Sequence, residues 1–126
     1  MGKVLVIDDD AQVRRVVRRL IEMEGHQVAE AESGKIALRL LANDPADLII
    51  TDIYMPEMDG IELLTRLRET LPEARLVAMS GGGVLPAHHM LDAAKALGAI
   101  AVIEKPFDIE AVRVHLDALG PSKERP

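Results

Sequence analysis

Apolar runs of strand length alternate along this chain with stretches whose apolar residues recur every three or four positions, and the runs end on polar residues. Val4-Leu5-Val6-Ile7 runs into Asp8-Asp9-Asp10, Leu48-Ile49-Ile50-Thr51 into Asp52, and Ile100-Ala101-Val102-Ile103-Glu104 into Lys105-Pro106. A weaker run lies around Val28 to Ala31, and Leu76 to Met79 supply another. Between them, Val13, Val16, Val17, Leu20 and Ile21 predict a first helix whose buried stripe stops near Gly25. A second helix is expected from about Ser33, an N-cap residue type, through Ile36, Ala37, Leu40 and Leu41, closed by Pro45. The turn Met55-Pro56-Glu57-Met58 leads into a third, where Asp59 and Glu62 have capping-box spacing. A fourth begins near Pro86, and a last one runs from Ile109 to Leu119 before Gly120-Pro121. Strands alternating with helices in this way predict an α/β fold with a parallel sheet covered on both faces. In such a sheet all strand C-termini open at one edge, so three or four carboxylates and one ammonium group should meet in a single crevice.

Composition narrows the classes. A chain of 126 residues that is 48% apolar is sized for one domain around one core. The absence of Cys rules out disulfides and thiolate metal sites and agrees with a reducing cytoplasm. The apolar stretch after Met1-Gly2-Lys3 is too short for a signal peptide or a spanning helix, and Val6 stands where a myristoylation motif needs Ser or Thr. We expect no membrane insertion. With a net charge of −6 and Tyr54 and Phe107 as the sole aromatics, both phosphate neutralisation and base stacking are lacking, so direct nucleic-acid binding is not expected.

Four motifs in order then carry a family resemblance covering nearly the whole chain. Val-Leu-Val-Ile-Asp-Asp-Asp at the start, Asp52-Ile-Tyr-Met-Pro-Glu-Met-Asp-Gly60, Ser80 after the fourth strand and Lys105-Pro106-Phe107 together resemble the CheY-like receiver domain of bacterial two-component response regulators. The resemblance implies a doubly wound, flavodoxin-like (βα)5 fold with a five-stranded parallel sheet of order 2-1-3-4-5, a receiver domain over 1–120 and a disordered tail over 121–126. It implies phosphorylation of Asp52 by a histidine kinase or histidine phosphotransfer protein, dependent on Mg2+ or Mn2+. The chain would then be a signalling receiver that catalyses its own phosphoryl transfer and dephosphorylation and no other reaction. Output would go to an unknown protein target, the chain being a monomer that can dimerise on phosphorylation.

The chemistry stands beside that resemblance. A carboxylate attacking a phosphoryl group meets like-charge repulsion, so a hard cation with oxygen ligands must screen it. Asp9 and Asp52 are expected as direct ligands, Asp8 as a ligand through water, and the Tyr54 main-chain carbonyl as a third protein oxygen. Lys105 brings a compact positive charge to the acyl phosphate, Ser80 offers a hydroxyl to a phosphoryl oxygen, and Gly81 leaves its backbone N–H accessible. The Lys105-Pro106 peptide resembles one that is cis in the family, which would aim the ammonium inward.

Plainer readings exist for each feature. Acids after a strand are often N-caps, although a cap needs one acid and here there are three. Asp59-Gly60 reads as cap and turn, and Ser80-Gly81-Gly82-Gly83 as a linker or weak phosphate cradle but for its place after a strand. Arg14, Arg15, Arg18 and Arg19 read as a solvated face, and His26, His88, His89 and His115, which lack metal spacing, as surface residues. Two rival functions remain: a pseudo-receiver that binds partners without phosphorylation, and a haloacid-dehalogenase-type phosphatase using Asp8, in which Gln12 and the order of the later motifs are out of place.

The departures from the family pattern are individual to this chain. Val102 stands where the family usually has Tyr or Phe as a switch beside Ser80, and Ile100-Ala101 where dimerising members often have an acidic pair. The glycines after Ser80 are therefore the expected mobile element, ordering residues 80 to 86 on activation. Tyr54 and Gly82 flank the line of approach of a hydrolytic water without offering it a polar side chain to orient it, so slow self-dephosphorylation is expected. No output domain follows the last helix, which suggests a stand-alone receiver, although a segment of a longer regulator would look the same.

Overall fold

The computed structural model describes residues 2–52, 60–80, 95–96, 98–104 and 109–118. Five strands, β1 (Lys3–Ile7), β2 (Gln27–Ala31), β3 (Leu48–Asp52), β4 (Arg75–Ser80) and β5 (Ala99–Glu104), form one sheet of order β2-β1-β3-β4-β5. Every pairing is parallel. The helices are α1 (Ala11–Met23), α2 (Gly34–Asn43), α3 (Gly60–Thr70) and α4 (Ile109–Asp117). Strand order and parallel pairing are those of the doubly wound fold expected above. Of the stretch of the helix expected from Pro86 only residues 95 and 96 are described, and both are helical; the Asp59 half of the capping box and the tail from 121 lie outside the described residues.

Side-chain alternation sorts the sheet into two faces. Val4, Val6, Leu48, Ile50, Val77 and Met79 point to one side, where they pack with Val17 and Ile21 of α1 and Val112 and Leu116 of α4. Leu5, Ile7, Ile49, Leu76 and Ala78 point to the other, against Ala37 and Leu41 of α2 and Leu63, Leu64 and Leu67 of α3. Because helices cover both faces, the central strands read as unbroken apolar runs, and all of β3 is buried. Each such Leu, Ile or Val withdrawn from water contributes about 1.5–3 kcal/mol. The helical stripes are narrower than the periodicity suggested. Val16 and Leu40 are 59% and 40% exposed, because the buried faces centre on Val17 with Ile21 and on Ala37 with Leu41.

Local signals set the helix ends. The Ser33 side chain accepts from the Ile36 N–H at 3.2 Å, and Gly25 after α1 takes φ 91°, a conformation that side chains disfavour. Arg113 of α4 meets Glu24 at 2.7 Å, tying α4 to the end of α1. At the start of β5 the register against β4 skips Ile100, which turns outward at 45% exposure, while Val102 lies opposite Ala78 and packs on the α2–α3 side. Arg68 holds this start in place by donating to the Pro72 carbonyl and, at 2.9 Å, to the Gly98 carbonyl. Gly98 has φ +100°, and a Cβ there would come within 2.5–2.8 Å of the Arg68 guanidinium. Gly98→Ala should therefore cost about 1–3 kcal/mol, read as a lower urea midpoint at unchanged m-value.

Candidate functional site

The three acids after β1 are not equivalent. Asp8 continues the β1–β2 ladder, its N–H donating to the Ala31 carbonyl at 3.1 Å, and its side chain is fully buried. Its Oδ1 accepts from the Asp10 N–H at 2.8 Å, which turns the chain. Asp10 is the N-cap of α1, accepting from the Gln12 and Val13 N–H groups at 2.9 and 3.4 Å. The cap reading is thus correct for Asp10 and leaves Asp8 and Asp9 for other work. Asp52, the last residue of β3, is 5% exposed, and the buried Thr51 hydroxyl donates to its carbonyl at 3.0 Å.

The sheet brings these elements together. β1 and β3 are neighbours with Ile7 opposite Thr51, so Asp8 and Asp52 leave the same edge side by side. One carboxylate oxygen from each of Asp8, Asp9 and Asp52 lies within 4.8 Å of the other two, with Asp8 and Asp52 buried and Asp9 exposed. Three like charges in so small and largely dry a space are unfavourable unless a cation screens them. An all-oxygen, all-carboxylate donor set suits a hard ion of the Mg2+ or Mn2+ type.

Ser80 ends β4 and pairs with Glu104, the last residue of β5. Lys105 follows directly in sequence, and Lys105, Pro106, Tyr54 and the Gly81–Gly83 run lie outside the described residues. Of the expected site residues, the structure therefore joins Asp8, Asp9 and Asp52 and puts the Ser80 backbone at the same edge.

One reading of the sequence needs correction. Arg14 and Arg18 are not simply a solvated face. The Arg14 side chain is 14% exposed, its Nη1 donates to the Asp8 carbonyl at 2.6 Å, and its Nε meets Glu30 at 3.1 Å. Arg18 meets the other Glu30 oxygen at 2.9 Å and Glu22 at 3.2 Å. The hydrogen bond from Arg18, and that from Arg14, hold the Glu30 carboxyl below its ordinary range against the opposing effect of burial. Sequence spacing carries no sign of this, because Glu30 is distant along the chain and reaches Arg14 through the pairing of β2 with β1, where it sits opposite Val6. His26 and His115 are partly exposed, in keeping with the surface reading, and His88 and His89 lie outside the described residues; His26 Nδ1 accepts from the Gly2 N–H at 3.3 Å. Burial, with Arg75 nearby, pushes the His115 imidazole down. Among the described residues no helix is long and apolar enough to cross a membrane.

Comparison with known proteins agrees with this architecture. The family model for the response regulator receiver domain matches residues 4–117. Sporulation initiation phosphotransferase F of Bacillus subtilis is 34% identical over 111 residues, covering 88% of this chain and 87% of that one. The DNA-binding transcriptional regulator NtrC of Azospirillum brasilense is also 34% identical, but this chain spans only 22% of its length. Among solved structures, the receiver domain of NtrX from Brucella abortus superposes with a TM-score of 0.83 at 30% identity, covering 94% of this chain and 99% of that one. On the match over residues 4–117, with the sheet order and the acidic edge it brings together, the chain belongs to the response regulator receiver domain family of two-component signalling.

Proposed function

We propose that this chain is a cytoplasmic phosphoacceptor, modified on Asp52 by the phosphohistidine of a histidine kinase or histidine phosphotransfer protein, with output through contact with another protein. The observation that carries this reading is the meeting of Asp8, Asp9 and Asp52 within 4.8 Å at the edge where β1 and β3 end. Asp9 and Asp52 would hold Mg2+ directly and Asp8 through water, with the Tyr54 carbonyl completing the protein oxygens. The cation supplies charge neutralisation at the phosphoryl oxygens. A carboxylate oxygen of Asp52 attacks phosphorus while the P–N bond of the donor breaks, its electron pair leaving on the imidazole nitrogen, so an acyl phosphate forms on Asp52. Asp52 suits this role because the end of a fully buried central strand fixes its position. Lys105, the Ser80 hydroxyl and the Gly81 N–H would bind the transferred phosphoryl oxygens.

DNA binding belongs to NtrC by its name and is not carried over to a chain that spans 22% of it. The phosphatase alternative needs Asp8 as nucleophile, and Gln12 and the order of the later motifs do not fit it. Incubation with acetyl phosphate and Mg2+, followed by peptide mass spectrometry, tests the reading. A phosphoryl group on Asp52 supports it, one on Asp8 supports the phosphatase, and Mg2+ binding without any modification supports a pseudo-receiver.

A further inference from the structure

The two peptide planes that flank Asp8 are both tied down, and by different parts of the molecule. The preceding plane is held by the sheet, through the Asp8 N–H and the Ala31 carbonyl. The following plane, which joins Asp8 to Asp9, is held by Arg14, whose Nη1 donates to the Asp8 carbonyl at 2.6 Å. The backbone dihedrals of Asp8 are the rotations between these two planes, and the second plane also sets where Asp9 begins. Pinning both therefore aims two of the three clustered carboxylates. Arg14 is itself braced: Glu30 takes its Nε at 3.1 Å and Arg18 at 2.9 Å, and Arg18 reaches out to Glu22 at 3.2 Å.

We propose that Arg14 is a positioning residue for the cation site, its guanidinium, braced by Glu30, holding the Asp8–Asp9 peptide in the orientation that brings both carboxylates toward Asp52. This rests on the cation-dependent reading of the site given above. Arg14 touches neither cation nor phosphoryl group and acts through the main chain. Its position and its charge have opposite consequences for a bound dication. As a positive charge beside the carboxylates it repels the cation, whereas as a clamp it removes ordering that binding would otherwise have to supply. Arg14, Arg18, Glu22 and Glu30 sum to zero charge, so the long-range repulsion is largely cancelled and the clamp prevails.

The opposed signs make the test decisive. Mg2+ is titrated by calorimetry into the purified chain at neutral pH, with melting in EDTA as the control for folding. Arg14→Gln should weaken Mg2+ binding about tenfold, the scale seen when an outer partner of a metal ligand is lost. Arg14→Lys keeps the charge but lacks the planar fork that spans carbonyl and carboxylate, and it too should bind more weakly than wild type. In the cation-free protein the Asp9 amide should gain mobility in 15N relaxation in both variants. Arg18→Gln, one contact further out, should stay within about twofold of wild type. Equal or tighter Mg2+ binding by Arg14→Gln overturns the proposal, and if that variant does not fold, Arg14→Lys decides by the same criterion. A wild type that binds no Mg2+ overturns the cation reading itself, whereas a wild type that binds it no better than the folded Arg14 variants overturns the positioning role alone.

Discussion

Asp52→Asn is expected to take up no phosphoryl group from acetyl phosphate in the presence of Mg2+, while folding as the wild type does. The substitution keeps the shape of the side chain at the end of β3 and replaces the carboxylate oxygen proposed to attack with an amide of negligible nucleophilicity. Two other carboxylates lie within 4.8 Å, so the result also asks whether proximity to the cation is enough to make an acceptor. It should not be. Asp8 accepts the Asp10 N–H at 2.8 Å in the turn that leads into α1, and Asp9, the exposed member, stands on the loop after β1, whereas Asp52 is fixed as the last residue of a buried central strand. Labelling should fall to background, followed by intact-protein mass spectrometry. Wild-type labelling in Asp52→Asn would move the acceptor to another residue and overturn the assignment.

Asp9→Asn should have the next largest effect, and it has two parts. Loss of what we propose is a direct carboxylate ligand should weaken Mg2+ binding by about a hundredfold or more, beyond the ten- to hundredfold typical of outer partners. Without Mg2+ the same change should stabilise the fold, because it removes one of three crowded like charges. For a largely exposed group that relief is about 1 kcal/mol, the energy of two unit charges about 4 Å apart in water. Thermal melting shows both parts together. Wild type should gain stability with Mg2+, about 2.7 kcal/mol when the free ion is at about 100 times its Kd, whereas Asp9→Asn should melt higher in EDTA and respond little to Mg2+. Because protons compete with the cation for carboxylates, the wild-type gain should shrink in acid. A Mg2+ response that survives Asp9→Asn would place the ion elsewhere.

The strands were legible because each central one is apolar on both faces, a pattern that solvent-facing strands do not show. Their boundaries shifted by a residue or so, since β4 begins at Arg75 and β5 at Ala99, positions where backbone pairing rather than side-chain burial decides the edge. Asp8, Asp9 and Asp52 were legible as chemistry because one acid suffices for the cap that Asp10 provides, and the others crowd like charge at strand ends that a parallel sheet opens at one edge. Val16 and Leu40 misled, since an apolar residue at the margin of a helical stripe can face either way.

By itself, then, the sequence determined the alternation of strands and helices and the residue types at the strand ends, since both are written in local periodicity. Motif order supplied the family. The meeting of the strand-end acids was already expected from the parallel sheet and the family order; what the tertiary structure alone decided is which of the other charges meet them. The order β2-β1-β3-β4-β5 sets Asp8 beside Asp52, and the β1–β2 pairing carries Glu30 across to Arg14 and so converts an arginine of an apparently solvated helix face into a clamp on the Asp8 carbonyl. No periodicity records such contacts, because an ion pair between a helix and a neighbouring strand depends on register and three-dimensional approach, and these exist only once the sheet has closed around its core.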